Sequence, residues 1–222
     1  MIRPAALAFA LATLPAAAQD HIEAPGLLTD DDFYRAVACA APPGGDCQKP
    51  FEHWDTSRPI RVALRAIDPA YLGRRAKVAK SAFKLGLRAL NAAEAGFRLS
   101  EVPAGENAEI EVWFLGIEHG DAISGTGIAH VDGAPMGDAT TRVLFNHETG
   151  RIERAAIVFS TTLDTTDFAP VMLGALTQTM GLLTGIKSPA YDGISVLAQG
   201  IPAATTLGLQ DIMALKRHYA RN

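Results

Sequence analysis

Along this chain the apolar residues change period several times, and each change marks an element. Residues 60–67 alternate, with Ile60, Val62, Leu64 and Ala66 on one face and Arg61 and Arg65 on the other. That is the pattern of a half-buried strand. From about 69 to 95 the period lengthens. Ala79, Phe83, Gly86, Leu90 and Ala93, flanked by Val78, Ala82 and Leu85, make one wide stripe. Lys77, Lys80, Lys84, Arg88 and Asn91 follow the opposite face, so the spacing predicts a long amphipathic helix closed by Gly96. Its basic stripe reads as the solvated side of that helix rather than as a docking face. Strand patterns return at 97–102 and at 108–115, where Ile110, Val112 and Phe114 alternate with Glu109, Glu111 and Trp113. A loop at 116–125 leads to a short strand at 126–131 and a turn region at 132–140. Strands at 142–146 and 155–160 are joined through His147-Glu148-Thr149-Gly150, a turn ending in glycine, as a β-hairpin.

The chain is organised around residues 171–185, which are apolar on nearly every face, with Thr177-Gln178 as the polar pair inside them. A helix apolar all round belongs in the middle of a core. It is too short for a bilayer, which needs about 20 residues. Asp167 is its expected N-cap, with Pro170 in the first turn. A polar loop through Lys187-Ser188-Pro189, the stretch Ile194-Ser195-Val196-Leu197 and a last helix over 209–219, buried on Ile212, Leu215 and Tyr219, complete the chain. Near the start, 28–37 predicts a short helix capped by Thr29 or Asp30, with Phe33, Tyr34 and Val37 facing inward. Strand, long helix, several strands, central helix, loop and terminal helix make an α+β arrangement, a mixed sheet packed against helices.

Composition adds a compartment. Arg3, an apolar stretch rich in Ala and Leu, and Pro15-Ala16-Ala17-Ala18 read as a secretory signal over 1–18, with the mature chain starting near Gln19. No cysteine stands at the cleavage point, so no lipid anchor is expected, and no membrane anchor remains in the mature protein. Loss of Arg3 leaves 19 basic against 24 acidic side chains, a net charge of −5, which argues against nucleic acid or an anionic membrane as partner. The expected location is the periplasm or outside the cell. There the two cysteines, Cys39 and Cys47, are expected to form a disulfide across loop residues. Residues 19–50 read as an N-terminal extension carrying that loop, and 51–222 as the main domain.

The element order resembles the zincin fold of zinc-dependent peptidases, in particular its metzincin-like branch. There a long helix crosses a twisted sheet and a second helix carries His-Glu-x-x-His-x-x-Gly-x-x-His. Gly181 fits the glycine where that helix turns, Ile194-Ser195-Val196-Leu197 resembles the segment before the family's methionine turn, and Thr206 through Tyr219 is similar to its closing helix. With Gly181 fixed, the resemblance puts Gly174 at the first histidine, Ala175 at the glutamate, Gln178 at the second histidine and Thr184 at the third ligand. Zinc needs imidazole, thiolate or carboxylate donors, and a water nucleophile needs a base. These residues supply neither. Ala175-Leu176-Thr177-Gln178-Thr179-Met180-Gly181-Leu182 is more similar still to a family of secreted bacterial proteins of unknown function, whose helix reads Glu-Leu-Thr-Gln-x-Leu-Gly-Leu. Ala175 departs from that pattern at its acidic residue.

The other chemistry is sparse. Glu118-His119 and Asp121, with His130 and Asp132, are candidates to line a cleft, and His119, His130 and Asp192 are the residues from which a rebuilt metal site would have to come. His147-Glu148 sits in a turn, and Ser124 lacks any nucleophile motif. Thr177 and Gln178 read first as buried polar residues that tie loops together, and second as ligand contacts. The resemblance therefore implies a non-catalytic exported scaffold, with no metal or other cofactor, that binds a peptide or protein partner of the envelope in the old cleft or serves a structural role. The alternative is a metal-dependent hydrolase with rebuilt ligands, and the cleft residues carried forward are Thr177, Gln178, His119, His130 and Asp192.

Overall fold

The computed structural model describes residues 21–65, 67, 73–128, 130–200 and 203–220. The expected signal at 1–18 lies outside them, as do Ala66 and the first residues of the expected long helix. Among the described residues the fold has four α-helices and two sheets. The strands are β1 (His21–Glu23), β2 (Ile60–Leu64), β3 (Leu99–Glu101), β4 (Ile110–Leu115), β5 (Ala139–Phe145), β6 (Ile152–Ser160) and β7 (Gly185–Lys187). The helices are α1 (Asp30–Cys39), α2 (Ala76–Ala92), α3 (Phe168–Thr179) and α4 (Leu209–Tyr219).

The larger sheet runs β3-β2-β4-β6-β5. Its first four strands are parallel, and β5 closes the edge antiparallel to β6. Side chains alternate across it. Ile157 and Phe159 of β6 join Phe114, Phe83, Met172 and Leu176 in the main core, where α2 and α3 pack together. Ala156 and Val158, between them, face a second cluster with Ile123, Val131, Ala134 and Met136, formed by the loop after β4. Both faces of β6 are thus covered, which explains its continuous apolar run.

The stretch before Phe51 shares the same core. Phe33, Tyr34 and Val37 are buried in the main cluster, α1 packs on α4, and β1 pairs in parallel with β7. Thr29 caps α1 by accepting from the Asp32 amide at 3.2 Å. Cys39 and Cys47 form a disulfide that closes the loop after that helix. No helix among the described residues is long and apolar enough to cross a membrane.

Several boundaries differ from the expected ones, each for a local reason. α2 ends at Ala92 because Asn91 turns its amide to the chain that follows, accepting from Leu99 N at 2.8 Å and donating to Leu99 O at 3.0 Å. The stretch 126–131 is not a strand in its described residues. Asp132 accepts from the Thr126 amide and hydroxyl at 3.1 and 2.6 Å and folds the loop back on itself. The hairpin strands are longer than expected, with Asn146 starting the turn by accepting from Glu148 N and Thr149 N. α3 stops at Thr179 rather than running to 185, and residues 185–187 instead form β7. Gly181, at φ +89°, turns the chain away from the helix axis. Asp167 holds the N-cap position without making a side-chain cap bond. α4 spans the expected residues.

Candidate functional site

A short segment, Phe51 to Trp54, crosses the end of α3 and is fixed from three sides. The His53 amide donates to Gly150 O at 2.9 Å, and His53 O accepts from Ile152 N at 2.7 Å, holding it to the β5–β6 turn. The Trp54 indole donates to Thr179 O at 2.7 Å, capping the last turn of α3. From α4, His218 Nε2 donates to Glu52 O at 2.8 Å. Gly181 lies directly beneath. A Cβ there would run into the Glu52 carbonyl, so the glycine permits both the turn and the crossing.

This anchoring fixes Glu52. Its residue is only 6 % exposed. Its carboxyl oxygen Oε2 has no hydrogen-bond partner among the described residues. Burial pushes the carboxyl up to about 7, and the charge of Lys49 acts in the opposite sense. Glu52 lines a cavity of about 520 Å³ whose long wall is β5, from Ala139 to Phe145. The other buried side-chain atom without a partner among the described residues is Thr141 Oγ1, and Thr141 lines the same cavity. A buried, unmet polar group costs about 1–3 kcal/mol, so two in one cavity need a reason.

Compared with known proteins, the chain matches no family model and no curated protein. What the site can do therefore rests on its own residues.

Gln178, at the end of α3, and His119, in the loop after β4, line this cavity. His119 Nδ1 is 3.0 Å from Asp138 Oδ1 on the exposed rim. The other residues singled out in the sequence lie elsewhere. Thr177 is fully buried and donates back along its helix to Leu173 O at 2.8 Å. Ala175 is buried in the main core. Thr184 is 2 % exposed, and its amide donates to Val37 O at 3.2 Å. His130 lines a separate cavity of about 300 Å³ beside Trp113. The Asp192 carboxyl lies against Gly200. Thus His119, His130 and Asp192 are not brought together. Among the described residues no three His, Cys, Asp or Glu side chains stand close enough to hold a metal ion.

The place where the resemblance would put zinc does not suit it. At Gly174 a Cβ would meet the Val196 carbonyl oxygen at 2.7 Å, so this position is filled by backbone and has no room for an imidazole. Gln178 offers a neutral amide and Thr184 a buried hydroxyl, neither of which is a zinc donor of ordinary strength.

Sequence reasoning missed Glu52 and Thr141. Glu52 had a signal of its own, an acid between Phe51 and His53-Trp54 in a stretch otherwise built to be buried. Thr141 had none, because one threonine on an alternating strand looks like any other.

Proposed function

We propose that this protein is an exported, non-catalytic binding domain on a zincin-like scaffold, and that it takes an extended peptide segment of a partner along β5. One observation carries the reading: β5 is an antiparallel edge strand, alongside α3, with a 520 Å³ cavity between them. An edge strand presents unpaired N–H and C=O groups, a ready template for an added strand, while a cavity beside it gives side-chain selectivity. The long α2, the four parallel strands and α3 beneath the edge support the zincin-like likeness. The disulfide and the expected signal support export. Gly174 packed on Val196 O supports the absence of the old chemistry.

The test is to incubate the purified protein with a defined peptide mixture, with and without added zinc, and to follow both hydrolysis and melting temperature. Peptides should stay intact, and zinc should leave the melting temperature unchanged. A specific site filled at 100 times its Kd would add about 2.7 kcal/mol of stability. Cleavage that co-purifies with the protein and is abolished by a chelator would sink the proposal.

A further inference from the structure

The outer face of the larger sheet, away from α2 and α3, borders the cavity of about 300 Å³ beside Trp113, which has a chemistry of its own. Ala156 of β6 lines it. Glu111 on β4 and Arg142 on β5 stand opposite Ala156, so one small residue between two long ones leaves a hollow. Two positions along β6, Arg154 stands opposite Leu144 and projects from the same face as Ala156. Arg142 and Arg154 are therefore diagonal neighbours on one face, with Cβ atoms about 7–8 Å apart. Ile128 and His130, from the loop that Asp132 folds back, also line the cavity.

Charge is unbalanced here. The lining holds two carboxylates, and arginines outside it already take both. Glu109 pairs with Arg61 at 2.8 Å and with Arg58 at 3.5 Å, and Glu111 pairs with Arg65. Ile110 pairs with Ala155, which sets Glu109 next to Arg154, yet the two form no ion pair. Among the described residues neither Arg142 nor Arg154 has a carboxylate partner, and Arg142 makes one long contact, to the Thr141 carbonyl at 3.4 Å. Arg154 is exposed and Arg142 half-buried, so a solute can reach both. Two cations so placed repel each other, and an anion between them removes the repulsion. Trp113 is held in place beside them. Its indole N–H donates to Glu111 Oε2 at 3.2 Å, and the Arg65 guanidinium lies 5.9 Å from its ring centre.

We propose that this cavity binds a small, flat organic acid. Its carboxylate lies between Arg142 and Arg154, and its apolar body rests against Trp113. A guanidinium grips a carboxylate through paired N–H donors, a stronger bond than one between neutral groups. One negative charge is favoured over two, because Glu109 and Glu111 border the same space and repel a dianion. The volume falls at the lower end for small-molecule sites, which suits a single ring and its acid group. This goes beyond the strand-docking reading and does not depend on it.

Benzoate, phenylacetate and cinnamate, titrated into the purified protein, test this. The chain has two tryptophans, of which Trp54 is buried at the end of α3 and Trp113 lines this cavity, so fluorescence can report on the site. At least one acid should change the fluorescence saturably and bind one equivalent by calorimetry, with a Kd below about 1 mM. Weaker binding than that by all three would overturn the proposal. The amide of the best acid should bind at least about tenfold more weakly, and a smaller difference would overturn the role of the guanidiniums. Phenyl phosphate binding more tightly than every acid would overturn the preference for a single charge. Arg142→Gln and Arg154→Gln, checked for their fold by circular dichroism, should each weaken binding about fivefold or more, and unchanged affinity in either would overturn the site. Trp113→Phe should lose the fluorescence response and keep the calorimetric one. A response that persists in that variant would put the ligand near Trp54 and overturn the assignment to this cavity.

Discussion

Replacing Glu52 by Gln should change how stability depends on pH, and the sign and size follow from the burial of this one carboxyl. In the unfolded chain it ionises at its ordinary value of 4.5, and in the fold it is pushed up to about 7. Between those values the native state binds more protons than the unfolded one, so stability is lost as pH rises through that window. Above about 7 the loss is complete and constant. At 1.36 kcal/mol for each tenfold change in ionisation, the full loss is about 3 kcal/mol. Carboxylates held low by hydrogen bonds, Asp132 through Thr126 and Asp55 through Ser57, act in the opposite sense over lower pH. They are common to both proteins and cancel in the difference. Urea unfolding of the wild type and Glu52→Gln at pH 4.5, 5.5, 6.5 and 8 gives that difference directly. The variant should gain steadily on the wild type, by about 3 kcal/mol between the lowest and highest pH. A difference that stays flat across the series would refute the reasoning, because it would mean that Glu52 ionises as freely in the fold as out of it.

Asp211 is fully buried and accepts from Ser195 Oγ at 2.6 Å, Val196 N at 3.0 Å and Gly208 N at 2.8 Å; Asp211→Ala leaves all three donors unmet and should cost about 3–5 kcal/mol in urea unfolding. Gly181→Ala meets both a φ of +89° and the Glu52 carbonyl, and it should destabilise by at least about 3 kcal/mol, read as a lowered melting temperature. Gly174→His should not restore zinc binding. Its side chain would have to displace the Val196 carbonyl, so the variant should melt earlier, and added zinc should not raise its melting point.

Much of the fold was legible because burial writes a period into the sequence. The alternation of β2 and β4, the stripe of α2 and the apolar run of α3 all identify their elements without help from the rest of the chain. Ends were less legible, since side chains from distant segments set them. Trp54 closes α3 across a separation of 125 residues, and no window around Thr179 contains that information. The same holds for Gly185–Lys187, which reads as the end of a helix and the start of a polar loop until β1 arrives to pair with it. In the cleft, Gln178 and His119 could be named from sequence, but Glu52 and Thr141 become distinctive only through what they lack, a hydrogen-bond partner. Want of a partner is a property of the assembled fold, and no local pattern encodes it. For the same reason His130 and Asp192 could be grouped with His119 on residue type alone, although the chain holds them apart.

The pairing of β1 with β7, and of α1 with α4, has a bearing on how the chain acquires its structure. His21 lies opposite Gly185, and Arg217 near the end of the chain stacks over Tyr34 and bonds Asp31 near its start. Contacts between such distant parts of a sequence are slow to form, because a large loop must close before they bring any gain. A chain that emerges N-terminus first must therefore hold the apolar face of α1 uncovered until α4 has followed. Removing α4 would uncover Phe33 and Tyr34 and take away the His218 contact that steadies the Glu52 segment, so the cleft's geometry depends on a residue 166 positions away along the chain.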